Sequence, residues 1–149
     1  MADITVLDVP GTFSDQDIGV LYSADHAILV GLQNVPSIRT LKLYCDMFPE
    51  ERLNHSLWVV INRYNPQLKA YTDDRIRGML GTPNVVTISN DYHAAIRAIN
   101  LGQPLRKAAP ETPILQDLDG LIRSLLGVEE EPPAKRNGLF RRVASVFGA

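Results

Sequence analysis

Short, almost wholly apolar runs alternate along this chain with segments whose apolar residues recur at helical spacing. The runs are Ile4-Thr5-Val6-Leu7, Ala27-Ile28-Leu29-Val30, Leu57-Trp58-Val59-Val60-Ile61 and Val85-Val86-Thr87-Ile88. Strand-like runs that do not alternate with polar residues belong in a parallel sheet covered by helices on both faces. Between them, Ser14 is placed to cap a helix over Asp15 to Ser23, and Ser37 one from Ile38 to about Phe48, where Pro49 stops it. Thr72 opens a third helix that closes at Gly81, Asp91 a fourth that runs to Gly102, and Thr112 a fifth. In the fifth, Ile114, Leu115, Leu118, Leu121, Ile122 and Leu125 recur at helical spacing until Gly127. This order predicts an α/β fold, a three-layer sandwich around a mainly parallel sheet with right-handed crossovers. Ligands of such sheets lie at the carboxyl ends of the strands, which directs attention to the loops after Leu7, Val30, Ile61 and Ile88.

Composition narrows the picture. The 149 residues, 45% hydrophobic and 21% charged, suffice for one globular domain. No apolar run approaches the roughly 20 residues of a membrane span, and Met1-Ala2-Asp3 lacks the basic start of a signal peptide, so a cytoplasmic chain is expected. Cys45, the single cysteine, lies in Leu41-Lys42-Leu43-Tyr44-Cys45 and reads as a buried structural thiol. The formal charge of −2 conceals an asymmetry: residues 132–149 carry Lys135, Arg136, Arg141 and Arg142 and no acid, which leaves the body acidic. An acidic body is a poor nucleic-acid binder, whereas a basic end suits an anionic surface. The chain thus divides into a domain over residues 1–127, an acidic and proline-bearing hinge over 128–137, and a tail over 138–149. On a helical wheel the tail's Leu139, Phe140, Val143, Ala144, Val146 and Phe147 share one arc, and Arg141, Arg142 and Ser145 the other. That is the pattern of an amphipathic membrane-targeting helix, expected to hold the protein peripherally on the inner face of the cell membrane.

Three strand ends offer chemistry. An apolar strand that delivers Asp8 into Asp8-Val9-Pro10-Gly11 is how P-loop NTPases present a magnesium-facing carboxylate and a γ-phosphate-sensing turn, and it is equally a plain connection with Asp as turn former. Asn62-Arg63-Tyr64-Asn65-Pro66 puts an amide and a guanidinium where a nucleotide base can accept hydrogen bonds and stacking, or forms a surface turn closed by Asn-Pro. Ser89-Asn90-Asp91-Tyr92 reads first as a helix cap. His26, His55 and His93 are isolated from one another and from cysteine, so no metal site is expected, and no Gly-x-Ser-x-Gly elbow occurs.

Seven motifs follow one another along the chain: Asp8-Val9-Pro10, Ser23-Ala24-Asp25 before the second strand, Val35-Pro36-Ser37-Ile38-Arg39, Ile61-Asn62-Arg63-Tyr64, Ile88-Ser89-Asn90-Asp91-Tyr92, Ala98-Ile99-Asn100-Leu101-Gly102-Gln103-Pro104-Leu105 and Ala109-Pro110-Glu111-Thr112-Pro113. In their order and spacing the chain resembles, over about residues 4–126, the C-terminal half of CpaE/TadZ proteins, a pilus-assembly branch of the MinD/ParA-type deviant Walker A ATPases. Asn62-Arg63-Tyr64-Asn65-Pro66 and the tail also look like MinD proper.

The resemblance implies a bacterial, SIMIBI-class P-loop NTPase-like fold, ATP and magnesium as cofactors of a full-length parent, ATP-dependent homodimerisation, and the placing or assembly of a pilus or secretion machine. Carried over, Asp8 would hold a magnesium-bound water, Pro10 and Gly11 would form switch II, and Asn62 with Arg63 would line the adenine pocket. Ser89 departs from the family's usual proline. The larger departure is that no Gly-x-x-x-x-Gly-Lys-Ser/Thr and no Gly-Lys dipeptide occurs in the chain, so the triphosphate has no cradle here. The expected partners are therefore a missing N-terminal ATPase half, a second copy, an anionic membrane and pilus or secretion machinery proteins. The alternatives are a MinD-like division-site positioning ATPase and a non-catalytic membrane adaptor on the same scaffold.

Overall fold

A computed structural model describes residues 4–11 and 14–127. Helix α1 (Asp15–Ser23) starts where expected, because Ser14 Oγ accepts from the Asp17 amide at 3.1 Å and Asp17 Oδ2 accepts from the Ser14 amide at 3.2 Å, a reciprocal capping box. Strand β1 (Ala27–Leu32) follows, then α2 (Val35–Asp46). Helix α2 begins three residues earlier than the Ser37 cap implied. Asn34 Oδ1 accepts from the Ser37 amide at 2.9 Å, and Pro36 fits the first turn, where its missing N–H costs no helical bond. Helix α3 (Glu50–His55) begins at Pro49, which only appeared as a stop signal, and β2 (Leu57–Tyr64) runs past Ile61. A 3-10 turn (Lys69–Tyr71) leads into α4 (Asp73–Leu80), closed by Gly81 at φ +72°. Strand β3 (Val85–Ser89), α5 (Tyr92–Leu101), the short α6 (Leu105–Ala108) and α7 (Pro113–Leu126) complete the described chain.

The three strands pair in parallel in the order β1-β2-β3, and the fold is α/β as the alternation predicted. One expected strand is missing. Residues Ile4 to Leu7 have no strand neighbour; Ile4, Val6 and Leu7 are 65%, 88% and 64% exposed. Apolar character suits a strand, but a strand exists only where another chain segment completes its ladder of hydrogen bonds, and the described residues provide none here.

Both sheet faces carry core. On one face Leu29, Leu57, Val59, Ile61 and Val85 pack with Ile38, Leu41, Tyr44 and Cys45 of α2 and with Ile76 and Leu80 of α4. Cys45 is fully buried, and desolvation pushes its thiol up to about 11, so it stays a neutral packing group. On the other face Val60, Ile88 and Leu121 of α7 form a smaller cluster with Trp58, Val86, Ile114, Leu118 and Leu125. Among the described residues no helix is long and apolar enough to cross a membrane. The membrane-targeting residues read from sequence, Leu139, Phe140, Arg141, Arg142, Val143 and Phe147, lie outside the described residues.

Candidate functional site at the carboxyl edge of the sheet

Parallel pairing brings the carboxyl ends of β1, β2 and β3 to one edge, with Leu32 opposite Asn62 and Tyr64 opposite Ser89. The ladder between β2 and β3 shifts between Ile61 and Tyr64, so β2 carries an extra residue there, and the bulge consists of Asn62 and Arg63. Arg63 has φ +56°, the left-handed region that a side chain other than glycine or asparagine adopts at a cost of roughly 1–2 kcal/mol. Bulges of this kind re-aim side chains at strand ends. Asn62, half-buried, accepts through Oδ1 from the Arg63 amide at 2.8 Å, which ties the turn together. Arg63 is exposed.

The strained bulge is held by a brace that sequence reading missed. Gln33, just after β1, accepts from the Asn65 amide through Oε1 at 2.8 Å. Its Nε2 donates to the Tyr71 carbonyl at 2.8 Å and to the Asn65 carbonyl at 3.2 Å. Tyr64 Oη accepts from the Asp73 amide at 3.2 Å, and Asn65 Oδ1 from the Gln67 amide at 3.0 Å. The available signal was Gln33's position directly after an apolar strand in a parallel sheet; nothing in the sequence says that Asn65 and Tyr71 come to meet it.

The third strand end is occupied by structure. The Ser89 amide donates to Asp117 Oδ2 at 2.7 Å, which fastens the end of β3 to α7. Asp91 caps α5 as expected, accepting from the Ala94 amide at 3.0 Å and from Thr112 Oγ1 at 2.7 Å. The Ala94 amide and then the Thr112 hydroxyl hold the Asp91 carboxyl below its ordinary value.

Asp8 is exposed and follows a segment that is not a strand; Pro10 and Gly11 are exposed too, and a Cβ built on Gly11 would stand 3.9 Å from Tyr44 Oη. His26, His55 and His93 are all exposed, and among the described residues no group of three His, Cys, Asp or Glu is disposed to hold a metal. A shallow cavity of about 350 Å³ runs along β3, lined by Asp73, Arg77, Gln116 and Asp117 among others. The Arg77 guanidinium fills its rim by donating to the Val85 and Pro83 carbonyls.

Chemically, the edge carries an amide and a guanidinium, residue types that suit hydrogen bonding and stacking with a planar heterocycle. The motif that would cradle a triphosphate, Gly-x-x-x-x-Gly-Lys-Ser/Thr, does not occur in the chain.

No protein-family model matches the chain, and no curated protein matches its sequence. Among solved structures the fold is similar to the crystal structure of a ParA family ATPase from Chlorobium tepidum TLS, with a TM-score of 0.58 at 21% identity. The match covers 75% of this chain and 45% of that one, so the chain spans less than half of that ATPase. The likeness establishes a ParA-like α/β fold.

Proposed function

We propose that this chain is the base-recognising, C-terminal part of a ParA/MinD-type ATPase, of the CpaE/TadZ-like kind that localises or assembles a pilus or secretion machine at the membrane. The observation that carries the reading is the strained Asn62-Arg63 bulge at the carboxyl edge of a parallel sheet whose fold is similar to a ParA family ATPase. Asn62 donates to the base, Arg63 stacks on it, and Gln33 holds the loop that presents them. Magnesium and the triphosphate are held by a phosphate-binding loop from outside this chain, with Asp8, Pro10 and Gly11 completing the site once Ile4 to Leu7 is paired. The basic tail with Phe140 and Phe147 attaches the assembly to anionic lipid, and dimerisation strengthens the attachment by presenting two tails.

Residues 1–149 alone are expected to bind no MgATP in calorimetry, for want of the cradle. With a phosphate-binding half restored, ATP binding should appear, and Asn62→Ala should weaken it by about 1 kcal/mol, roughly fivefold in Kd. Micromolar MgATP binding by residues 1–149, or unchanged affinity in Asn62→Ala, sinks the reading.

A further inference from the structure

Strand β1 is covered on one face only. Its Ala27 and Leu29 are buried in the core shared with α2, whereas Ile28, Val30 and Leu32 on the other face are 40%, 63% and 38% exposed. That face continues into covered ground, because Ile28 pairs with Trp58 and Val30 with Val60, both in the cluster under α7. Helix α7 therefore covers β2 and β3 and leaves the apolar row of β1 bare. Neighbouring helices pack about 8–10 Å apart, so a helix laid beside α7 would fall over this row.

The chain carries a segment that fits the row. Helix α7 is fastened to the carboxyl end of β3 by the bond between the Ser89 amide and Asp117, and it runs from there back along the strands until Leu125 packs in the same cluster as Trp58. Gly127 thus leaves the fold near the amino end of the sheet, where Trp58 and Ile28 lie. The tail's apolar arc, from Leu139 to Phe147, measures about 12 Å as a helix, and the row from Ile28 to Leu32 about 13 Å as a strand. The chain from Gly127 to Leu139 reaches about 40 Å when extended, several times the spacing of two packed helices. Charge favours the same union, since Lys135, Arg136, Arg141 and Arg142 stand in a tail without acids and the body holds the excess of carboxylates.

We propose that residues 138–149 dock as an amphipathic helix on the face of Ile28, Val30 and Leu32, beside α7, so that one apolar arc serves either the sheet or lipid and membrane attachment requires its release. A segment this short is marginally helical by itself and gains its helix from the apolar partner it meets. The docking stands on the bare row, the tether and the tail's own pattern; the exchange with lipid rests on the membrane attachment given under Proposed function.

The test joins Val30→Cys with Val143→Cys in residues 1–149 and follows disulfide formation under mild oxidation. Cys45 does not compete, because it is fully buried and its thiol is pushed up to about 11. An intrachain bond should form at least about tenfold faster than in Leu43→Cys with Val143→Cys, whose α2 position is exposed on the layer across the sheet. Anionic liposomes should slow the first reaction to the rate of the second. Two further changes should do so without lipid: Phe140→Glu with Phe147→Glu in the tail, and Ile28→Gln with Leu32→Gln on the sheet, which is neutral and adds no attraction to anionic lipid. At limiting lipid, Ile28→Gln with Leu32→Gln in the chain without added cysteines should raise the sedimenting fraction at least about threefold, because the tail is already free. Both positions are partly exposed, and unchanged circular dichroism would confirm that the fold is kept. Equal rates for the two cysteine pairs, a bond formed only between chains, or fast bonding that survives Ile28→Gln with Leu32→Gln overturns the docking. Sedimentation that this double variant leaves unchanged overturns the exchange with lipid. Fast intrachain bonding in a chain that never sediments removes the membrane reading and keeps the docking, and sedimentation with equal bonding rates does the reverse.

Discussion

Gly31→Ala tests how tightly α2 seats on β1. Gly31 faces the core on the row of Ile61, and a Cβ built there would lie 2.7 Å from Leu41 Cδ1 and 3.1 Å from Cγ. Carbon atoms sit best at about 3.5–4.0 Å, so the nearest contact is roughly 1 Å too short. Leu41 is 3% exposed and packed among Ile38, Tyr44 and Leu29, which denies it an easy alternative rotamer. Overpacking of this kind costs about 1–3 kcal/mol. Against it, alanine in a strand gains about 0.5–1 kcal/mol over glycine through the unfolded chain. The steric cost wins, and net destabilisation of about 0.5–2 kcal/mol is expected from urea titration followed by Trp58 emission. The double variant decides the cause. Leu41→Ala alone should cost about 2–5 kcal/mol by leaving a cavity. In that background the added Cβ meets space, so Gly31→Ala should become neutral or stabilising by up to about 1 kcal/mol. A Gly31→Ala effect of the same sign and size in both backgrounds would refute the steric account.

Asp91 has a lowered carboxyl value in the fold, so its contribution should be present above the ordinary range near about 3.9 and fade as pH falls through the lowered value; the stability difference between the protein and Asp91→Asn should shrink below about pH 4, and a difference independent of pH would contradict this. Asp117→Ala removes the acceptor of the Ser89 amide and should cost about 1.5–3 kcal/mol in urea unfolding, with faster exchange at the end of β3; stability within about 0.5 kcal/mol would mean that the bond contributes little. Gln33→Ala should free the Asn65 amide, read as faster exchange confined to residues 63–71, whereas protection equal to the parent would show that the bulge holds itself. Intact protein should sediment with anionic liposomes, and a deletion after Ala134 or Phe140→Glu with Phe147→Glu should not; equal sedimentation of all three rules out a membrane anchor in the tail.

Local physics was legible wherever a residue acts on its own neighbours. Ser14, Asp91, Gly81, Gly102 and Gly127 mark helix ends as expected, because a cap is a bond or a φ angle set within a few residues. Unbroken apolar runs likewise announced β1, β2 and β3 and their parallel class. The candidate site was legible in part: Asn62 and Arg63 stand out as polar residues ending an apolar strand, but their bulge and the positive φ depend on a register shift against β3. Gln33 escaped notice because its partners lie 32 and 38 residues away. The fate of Ile4 to Leu7 and of the outer face of β1 was decided by tertiary structure alone. Sequence can show that a segment is fit to be a strand, but a strand is a relation between two backbones, and hydrophobic side chains are buried only where another element arrives to cover them.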